Sequence, residues 1–433
     1  MLLLTWYITG AMDIGLWPPH NHRSNKLQLS FPPHPPRPPP SSPAQFKRFC
    51  SIGALVRLLI PRDAAHSSTP APHCSPTPTS LLLLLKAVVN EMLPNTELYS
   101  PAIEVDPAMY DEEDLGYESA LSGYDSDTMC IASTMNEYLL ENGRLYHTYY
   151  GPDKNILPLD EIEQDRMDLC HDIFNLMLEG LHLAPVESPT RILDVGTGTG
   201  VWAIQVAEEY PQAEVIGMDL SPIQREWVPP NCRFEVDDAE RDFTYQRNSF
   251  DLVHVRNLGQ CIDDWERLMS EIYQCTKPGG YIEWCELGGT CHSDDNTLAD
   301  NNPTKLWFDC MVRAVAMLGR PASITHILMH DFLERAGFVD IEVAQYKHPL
   351  APWPKDKRLK QIGAMNLIAG VTGYHAYGMA LFTRVLGFHS DMADKICRDC
   401  QVAQFDKSAH IYTFYYVVYA RKPTRDEAAA NAH

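Results

Sequence analysis

Arg191-Ile192-Leu193-Asp194-Val195-Gly196-Thr197-Gly198-Thr199-Gly200 decides the fold. A short apolar run ends in an acid, glycines follow at alternate positions, and an amphipathic stretch begins at Val201. That order predicts a strand, a tight loop and a helix N-terminus, the first unit of a nucleotide-type α/β sheet. Glycine permits positive φ and lets backbone N–H groups approach a ligand closely.

Downstream, the same alternation repeats. Strands are predicted over Glu214–Asp219, Cys232–Val236, Phe250–Val255 and Tyr281–Leu287, with a helix over Asp264–Thr276 ended by a Lys277-Pro278-Gly279-Gly280 turn. Helices over 303–318 and 325–336 follow, the second stopped by Gly337, then a strand over Phe338–Tyr346. After a largely helical insertion at 347–405, Ile411–Arg421 reads as a last strand that inserts antiparallel, because it has no crossover of its own. The expected fold is α/β: a doubly wound, mostly parallel seven-stranded sheet, Rossmann-like, with a helical C-terminal insertion and a disordered N-terminal region.

Upstream, Asp160 can cap a helix, with Glu163 three residues on and Leu169, Ile173, Phe174, Met177, Leu178 and Leu181 at helical spacing. Residues 92–135 are acidic, with runs such as Tyr110-Asp111-Glu112-Glu113-Asp114, and are expected to be disordered and open to partners. Residues 1–91 are low-complexity, with six prolines between Pro32 and Pro39. Met92 opens a stretch of different composition and charge sign, so 1–91 reads as a possible non-native extension. The expected domain spans 136–425, and 426–433 form a disordered tail.

The net charge is −22. Residues 1–90 carry eight Lys/Arg against two Asp/Glu, and residues 91–190 three against 22. Such acidity argues against direct binding to nucleic acid. No stretch predicts a membrane span; the apolar run around Leu81–Leu85 is too short. Of twelve cysteines, Cys397 and Cys400 form the lone CxxC, so no metal is expected. Unframed cysteines suit a cytoplasmic or nuclear location.

The chemistry follows from the strand ends. Asp194, Asp219 and Asp237/Asp238 all fall where doubly wound sheets bind ligands. Asp219 lies 19 residues after Gly200, the interval expected of an acid that binds ribose hydroxyls. Dinucleotide enzymes use GxGxxG before a pyrophosphate. Here the spacing is GxGxG after an acid, with no basic residue in the loop. A sulfonium nucleoside with an amino-acid tail, S-adenosylmethionine, fits better.

Several stretches carry a resemblance: Gly143-Arg144-Leu145-Tyr146-His147, Gln164-Asp165-Arg166, Leu193 to Trp202, Gly217-Met218-Asp219-Leu220-Ser221-Pro222-Ile223-Gln224, Trp227-Val228-Pro229-Pro230-Asn231-Cys232, Phe234 to Glu240, and Pro278 to Glu283. With these, residues 135–425 resemble the class I S-adenosylmethionine-dependent methyltransferases, in particular the fungal LaeA-like group. Arg225 departs from the group's pattern, which has proline there, and is not expected to affect the cofactor. The resemblance implies that Gly196, Gly198 and Gly200 hold the methionine part. It implies that Asp194 lies near the ammonium or orients the loop. Asp219 would bind the ribose, Asp238 with Ala239 the adenine, and Tyr146 would cap the site; Thr197, Leu220 and Asp237 also belong to the expected cofactor site.

Methyl transfer needs alignment and exclusion of water, and a base only for a protonated acceptor. Candidates at strand ends are His254, Arg256, Glu283 and Glu286, with His375 in the insertion; for each a scaffold role competes. Trp202 and Trp284 read as core. The expected activity is methyl transfer to a small molecule of fungal secondary metabolism. Tyr346, Trp353, Tyr374, His375 and Tyr377 are aromatic candidates for lining its pocket. The alternatives are a nuclear regulator of that metabolism acting through protein partners, and a cofactor binder without transfer activity.

Overall fold

The structure is a computed structural model and describes residues 100–110, 138–148 and 156–430. The readings made for 1–91, for most of 92–135 and for 431–433 lie outside the described residues. The first elements are a hairpin, β1 (Tyr138–Glu141) and β2 (Arg144–His147). Asn142 and Gly143 turn it with φ of 50° and 76°, the left-handed pair that a two-residue hairpin loop requires. Helix α1 (Glu161–Leu178) starts at Asp160, whose carboxylate accepts from the Glu163 amide at 3.1 Å. Arg144 forks the same carboxylate at 2.7 Å through two nitrogens, tying the hairpin to the helix.

The α/β core follows in order: β3 (Arg191–Val195), α2 (Val201–Glu209), β4 (Glu214–Asp219), β5 (Cys232–Val236), β6 (Phe250–Arg256), α3 (Trp265–Cys275) and β7 (Thr276–His292). Next come α4 (Pro303–Met317), α5 (His326–Ala336), β8 (Val339–Pro349) and α6 (Lys357–Ala380), which runs into a π-helical turn at Leu381–Val385. The chain ends with α7 (Ser390–Ala403), β9 (Tyr412–Arg421) and α8 (Arg425–Ala430). The sheet order is β5-β4-β3-β6-β7-β9-β8, with β9 antiparallel to both neighbours and β3 to β7 parallel. The order reverses beside β3, so the glycine loop sits at the switch point where such sheets bind ligands.

The sheet is buried on both faces, which explains its near-continuous apolar strands. One face packs Leu193, Val195, Val253, Val255 and Trp284 against Trp265, Leu268 and Ile272 of α3 and Met329 and Leu333 of α5. Trp265 and Trp284 stack at 4.1 Å. On the other face Ile192, Val215 and Leu252 meet Trp202, Ala203 and Val206 of α2. Leu169, Ile173, Phe174 and Met177 of α1 cover Tyr415 and Val417 there. Each such fully buried large side chain contributes about 1.5–3 kcal/mol. Helices α4, α6 and α7 form a second apolar cluster around Trp307, Tyr374, Phe382, Ile396, Cys397 and Cys400.

Three boundaries differ from the sequence reading. First, residues 100–109 pack on the domain instead of belonging to a disordered segment. Met109 is buried in the core, Asp106 pairs with Lys360 at 2.7 Å, and Lys347 donates to the Pro101 carbonyl at 2.8 Å. Second, Lys277–Gly280 is extended. The Gly279 amide donates to Lys422 and the Lys422 amide to Gly280, which continues the pairing with the end of β9 while Gly279, at φ 82°, absorbs the bend. Third, the expected tail begins with α8, because Arg421 forks Glu427 at 2.8 and 3.0 Å and Glu427 also accepts from the Thr424 amide. No helix among the described residues is long and apolar enough to cross a membrane.

Candidate functional site

The glycine loop links β3 to α2. Gly196, Gly198 and Gly200 have φ of 72°, 58° and 82°. A Cβ on Gly196 would lie 2.5 Å from Leu258, and one on Gly200 would overlap the Phe234 ring. A Cβ on Gly198 would meet only Met167, at 3.7 Å, so the backbone there is open to a ligand. Acids tie the loop to β3, β4 and α1. Thr197 donates to Asp194 at 2.6 Å, the Gly198 amide to Asp219 at 2.8 Å, and Thr199 to Asp168 at 2.6 Å. Gln224 donates to the Gly198 carbonyl at 2.8 Å. Three acids and an amide suit a ligand bearing positive charge, not a pyrophosphate.

Asp194 is buried. Its second oxygen accepts from His254 Nδ1 at 2.7 Å, so both oxygens serve the chain and orient the loop. Asp219 stands at the end of β4 and also accepts from the Ser221 amide at 3.0 Å. Desolvation pushes its carboxyl up to about 6 against the lowering effect of the Gly198 and Ser221 amides. Leu220 follows it, half-buried. The Asp237 amide donates to the Asp219 carbonyl at 3.0 Å, bringing the ends of β4 and β5 together. Asp237 accepts from the Asp238 amide, and buried Asp238 from the Glu240 amide, at 2.8 and 3.0 Å. Ala239 packs against the core beneath them. Tyr146 is fully buried on the hairpin under the Arg384 guanidinium, 4.7 Å from its ring.

The candidates for chemistry divide by strand face. His254 is buried, stacked on Trp202 at 3.7 Å, and desolvation holds its pKa below the usual histidine value. Glu283, beside it in register, accepts from the Leu183 and Ala184 amides, each at 2.7 Å. Cys285 completes a buried trio with these two, their donor atoms within 4.8 Å of one another. Asp194 and the two amides already engage the histidine and the glutamate. Arg256 pairs with His171 Nδ1 at 3.0 Å. His375 pairs with Asp394 of α7 at 3.1 Å. Arg225 binds Asp168 at 2.6 Å, the acid that holds Thr199, so the departing residue reaches the loop through one intermediary.

Glu286 lies on the opposite face of β7 from Glu283. Its Oε1 accepts from the Leu258 amide at 2.9 Å and from Trp284 Nε1 at 3.0 Å, and the Gly259 amide also donates to this carboxylate. Desolvation raises it to about 7. It borders a cavity of about 150 Å³ lined by Asn257, Gly259, Trp307, Met311, Ile324 and Tyr377, among others. The 257–259 segment therefore touches the glycine loop, through Leu258 against Gly196, and also walls the cavity. Asn257, at φ 55°, makes the turn off β6. Of the aromatic candidates, Tyr377 lines the cavity, while Trp353 and Tyr374 are core. The cavity wall from α4 and residues 321–324 was not anticipated from the sequence, since these residues read only as helix and loop.

A methyltransferase-domain family model matches residues 169–343. Methyltransferase pytC of Aspergillus terreus is 34% identical over 304 residues, covering 69% of this chain and 93% of that protein. The secondary metabolism regulator LAE1 of Cochliobolus heterostrophus is 36% identical over 298 residues, 66% of this chain and 96% of that one. The protein-methionine methyltransferase laeA of Emericella nidulans is 33% identical over 296 residues, 68% and 79%. With this sheet order, this loop and these relatives, the chain belongs to the S-adenosylmethionine-dependent methyltransferases of the fungal LaeA-like group.

Proposed function

We propose that this methyltransferase acts on a small molecule seated in the cavity beside Glu286. The observation that carries the reading is the shared 257–259 segment, which closes on Gly196 from one side and walls the cavity from the other. The open backbone at Gly198 holds the methionine part of the cofactor, Asp219 the ribose, and Asp238 with Ala239 the adenine. Asp194, held by His254, keeps the loop in register rather than touching the ammonium. S-adenosylmethionine supplies a methyl group already activated by a positive sulfur. The chain's part is then to align the acceptor at about 3–3.5 Å and to exclude water. Trp307, Met311, Val312 and Ile324 do the excluding.

The test is transfer of labelled methyl from S-adenosylmethionine into an extract of small molecules from a strain lacking the gene. Label should enter the organic fraction. Met311→Trp, which fills the cavity, should abolish it while S-adenosylhomocysteine still binds. Label confined to protein would refute the reading.

A second reading is favoured by relatives of equal similarity, one named a secondary metabolism regulator and another a protein-methionine methyltransferase. Under it the chain acts through protein partners, and the cavity takes an unbranched thioether, an apolar group with no proton to lose. Protein-bound label, and broad metabolic change in the deletion strain instead of one lost product, would support it.

A further inference from the structure

The polar groups in the cavity wall have a common sense. Glu286 is a carboxylate engaged by the Leu258 and Gly259 amides and the Trp284 indole, which fill three of about four lone-pair positions. The side-chain oxygens of Asn257 and Gln260, in the same wall, are buried and have no hydrogen-bond partner among the described residues. Of the donors in the wall, the Trp307 indole is spent on the Tyr374 carbonyl at 3.1 Å, while the Ser323 hydroxyl, which accepts from the Gly289 amide at 2.9 Å, keeps its own proton. Unsatisfied buried acceptors are costly, and a ligand that brings a donor relieves the cost. The remaining wall is apolar, and about 150 Å³ is the size of a cavity that holds one benzene ring.

We propose that the acceptor's reacting end is a single ring, or a group of that size, bearing an O–H or N–H that donates to Glu286, and that Glu286 takes this proton on methyl transfer. This rests on the small-molecule reading above. The bond from the acceptor O or N to the methyl carbon forms as the bond from that carbon to the donor sulfur breaks, leaving its electron pair on sulfur. The O–H or N–H pair stays on the acceptor atom, and the proton passes to the free lone pair of the Glu286 carboxylate. The raised pKa of that carboxyl suits a group that must accept a proton near neutrality. Its amide bonds come from the segment that touches the glycine loop, so the base is fixed relative to the cofactor cradle.

The test uses the whole chain saturated with S-adenosylhomocysteine, with phenol and toluene as probes of nearly equal shape, titrated by calorimetry. In a cavity without an acceptor, phenol binds more weakly than toluene, because its hydroxyl loses water for nothing. With Glu286 as partner, phenol should bind about tenfold more tightly than toluene. Glu286→Gln keeps an oxygen for the amides but no charge, and should bring the two probes close to parity with S-adenosylhomocysteine affinity unchanged. A wild-type protein that prefers toluene overturns the proposal but leaves the cavity reading intact, and this comparison needs no variant should Glu286→Gln fail to fold. A phenol preference that survives Glu286→Gln also overturns it. If neither probe binds while S-adenosylhomocysteine does, the cavity reading itself falls and takes the proposal with it.

Discussion

Asp219→Ala perturbs the proposed cradle at the point where its geometry is most specific. The carboxylate accepts from the Gly198 amide at 2.8 Å and the Ser221 amide at 3.0 Å, and the Leu220 amide also donates to it, so about one lone pair remains for a hydroxyl donor. A hydrogen bond to a charged group contributes about 1.5–3 kcal/mol. Losing it should raise the Kd for S-adenosylhomocysteine at least about tenfold. Some of that loss would come from the loop, because Gly198 also loses its anchor. Asp219→Asn separates the parts: it keeps one oxygen for the Gly198 amide and offers the ribose a neutral group, so its loss should be smaller. Calorimetry with S-adenosylhomocysteine and with its 2′,3′-dideoxy analogue gives the assay. The analogue should bind wild type and Asp219→Ala almost equally if the ribose contact carries the effect. S-adenosylhomocysteine binding to Asp219→Ala within about threefold of wild type, at unchanged thermal stability, would refute the assignment.

The same carboxyl sets a pH dependence. Folded Asp219 keeps its proton to about pH 6, against 3.8 ordinarily, so ionising it costs the cofactor-free fold stability as pH rises between those values. A ribose that donates to the charged form offsets this, so cofactor affinity should rise as pH passes 6, and a flat calorimetric profile from pH 5 to 8 would exclude the mechanism. Gly200→Ala should cost roughly 1–3 kcal/mol, since φ of 82° strains an L side chain and the new methyl overlaps Phe234; denaturant melts measure it. His254→Ala removes the stack on Trp202 and leaves Asp194 buried without that partner, which should cost on the order of 3 kcal/mol by the same melts. If His254 were instead a catalytic base, the variant would lose turnover while keeping its stability.

Much of the sheet was legible because the strands are short apolar runs whose ends are marked by acids or glycines. Glu214–Asp219 and Cys232–Val236 begin and end where the sequence places them. Asp160 starts α1 and Gly337 stops α5 as capping chemistry requires. The hairpin at 138–147 is marked in the sequence by Asn142-Gly143 alone, since the strands on either side are too short to show alternation. The order of residues 100–109 was hidden because its cause is distant. Met109 is one apolar residue beside an acidic run, and the lysines that hold its neighbours are Lys347, Lys355 and Lys360. Arg225 looked peripheral for the same reason, since its partner Asp168 is 57 residues upstream.

The candidate base was the hardest to read, and the strand itself explains why. An acid near the end of a buried strand can face either side, and sequence position alone does not say which side bears the acceptor. In Glu283-Trp284-Cys285-Glu286 the pleat sends the two glutamates to opposite faces, because they are three residues apart. Glu283 turns toward the His254 side, where two amides before β3 take it. Glu286 turns with Trp284 toward α3, where the loop after β6 meets it and the cavity opens beside it. Both carboxylates are buried and both hold a loop by its amides, so burial and bonding do not distinguish them. What does is that the Glu286 loop also touches the glycine cradle. A base must be fixed relative to both reactants, and of the two glutamates Glu286 alone borders the cavity while bonding the segment packed on Gly196. Moving the acid to the other face should therefore not restore the phenol preference: a Cys285→Glu, Glu286→Gln double variant should bind phenol no better than Glu286→Gln alone, and recovery would show that proximity without this loop suffices.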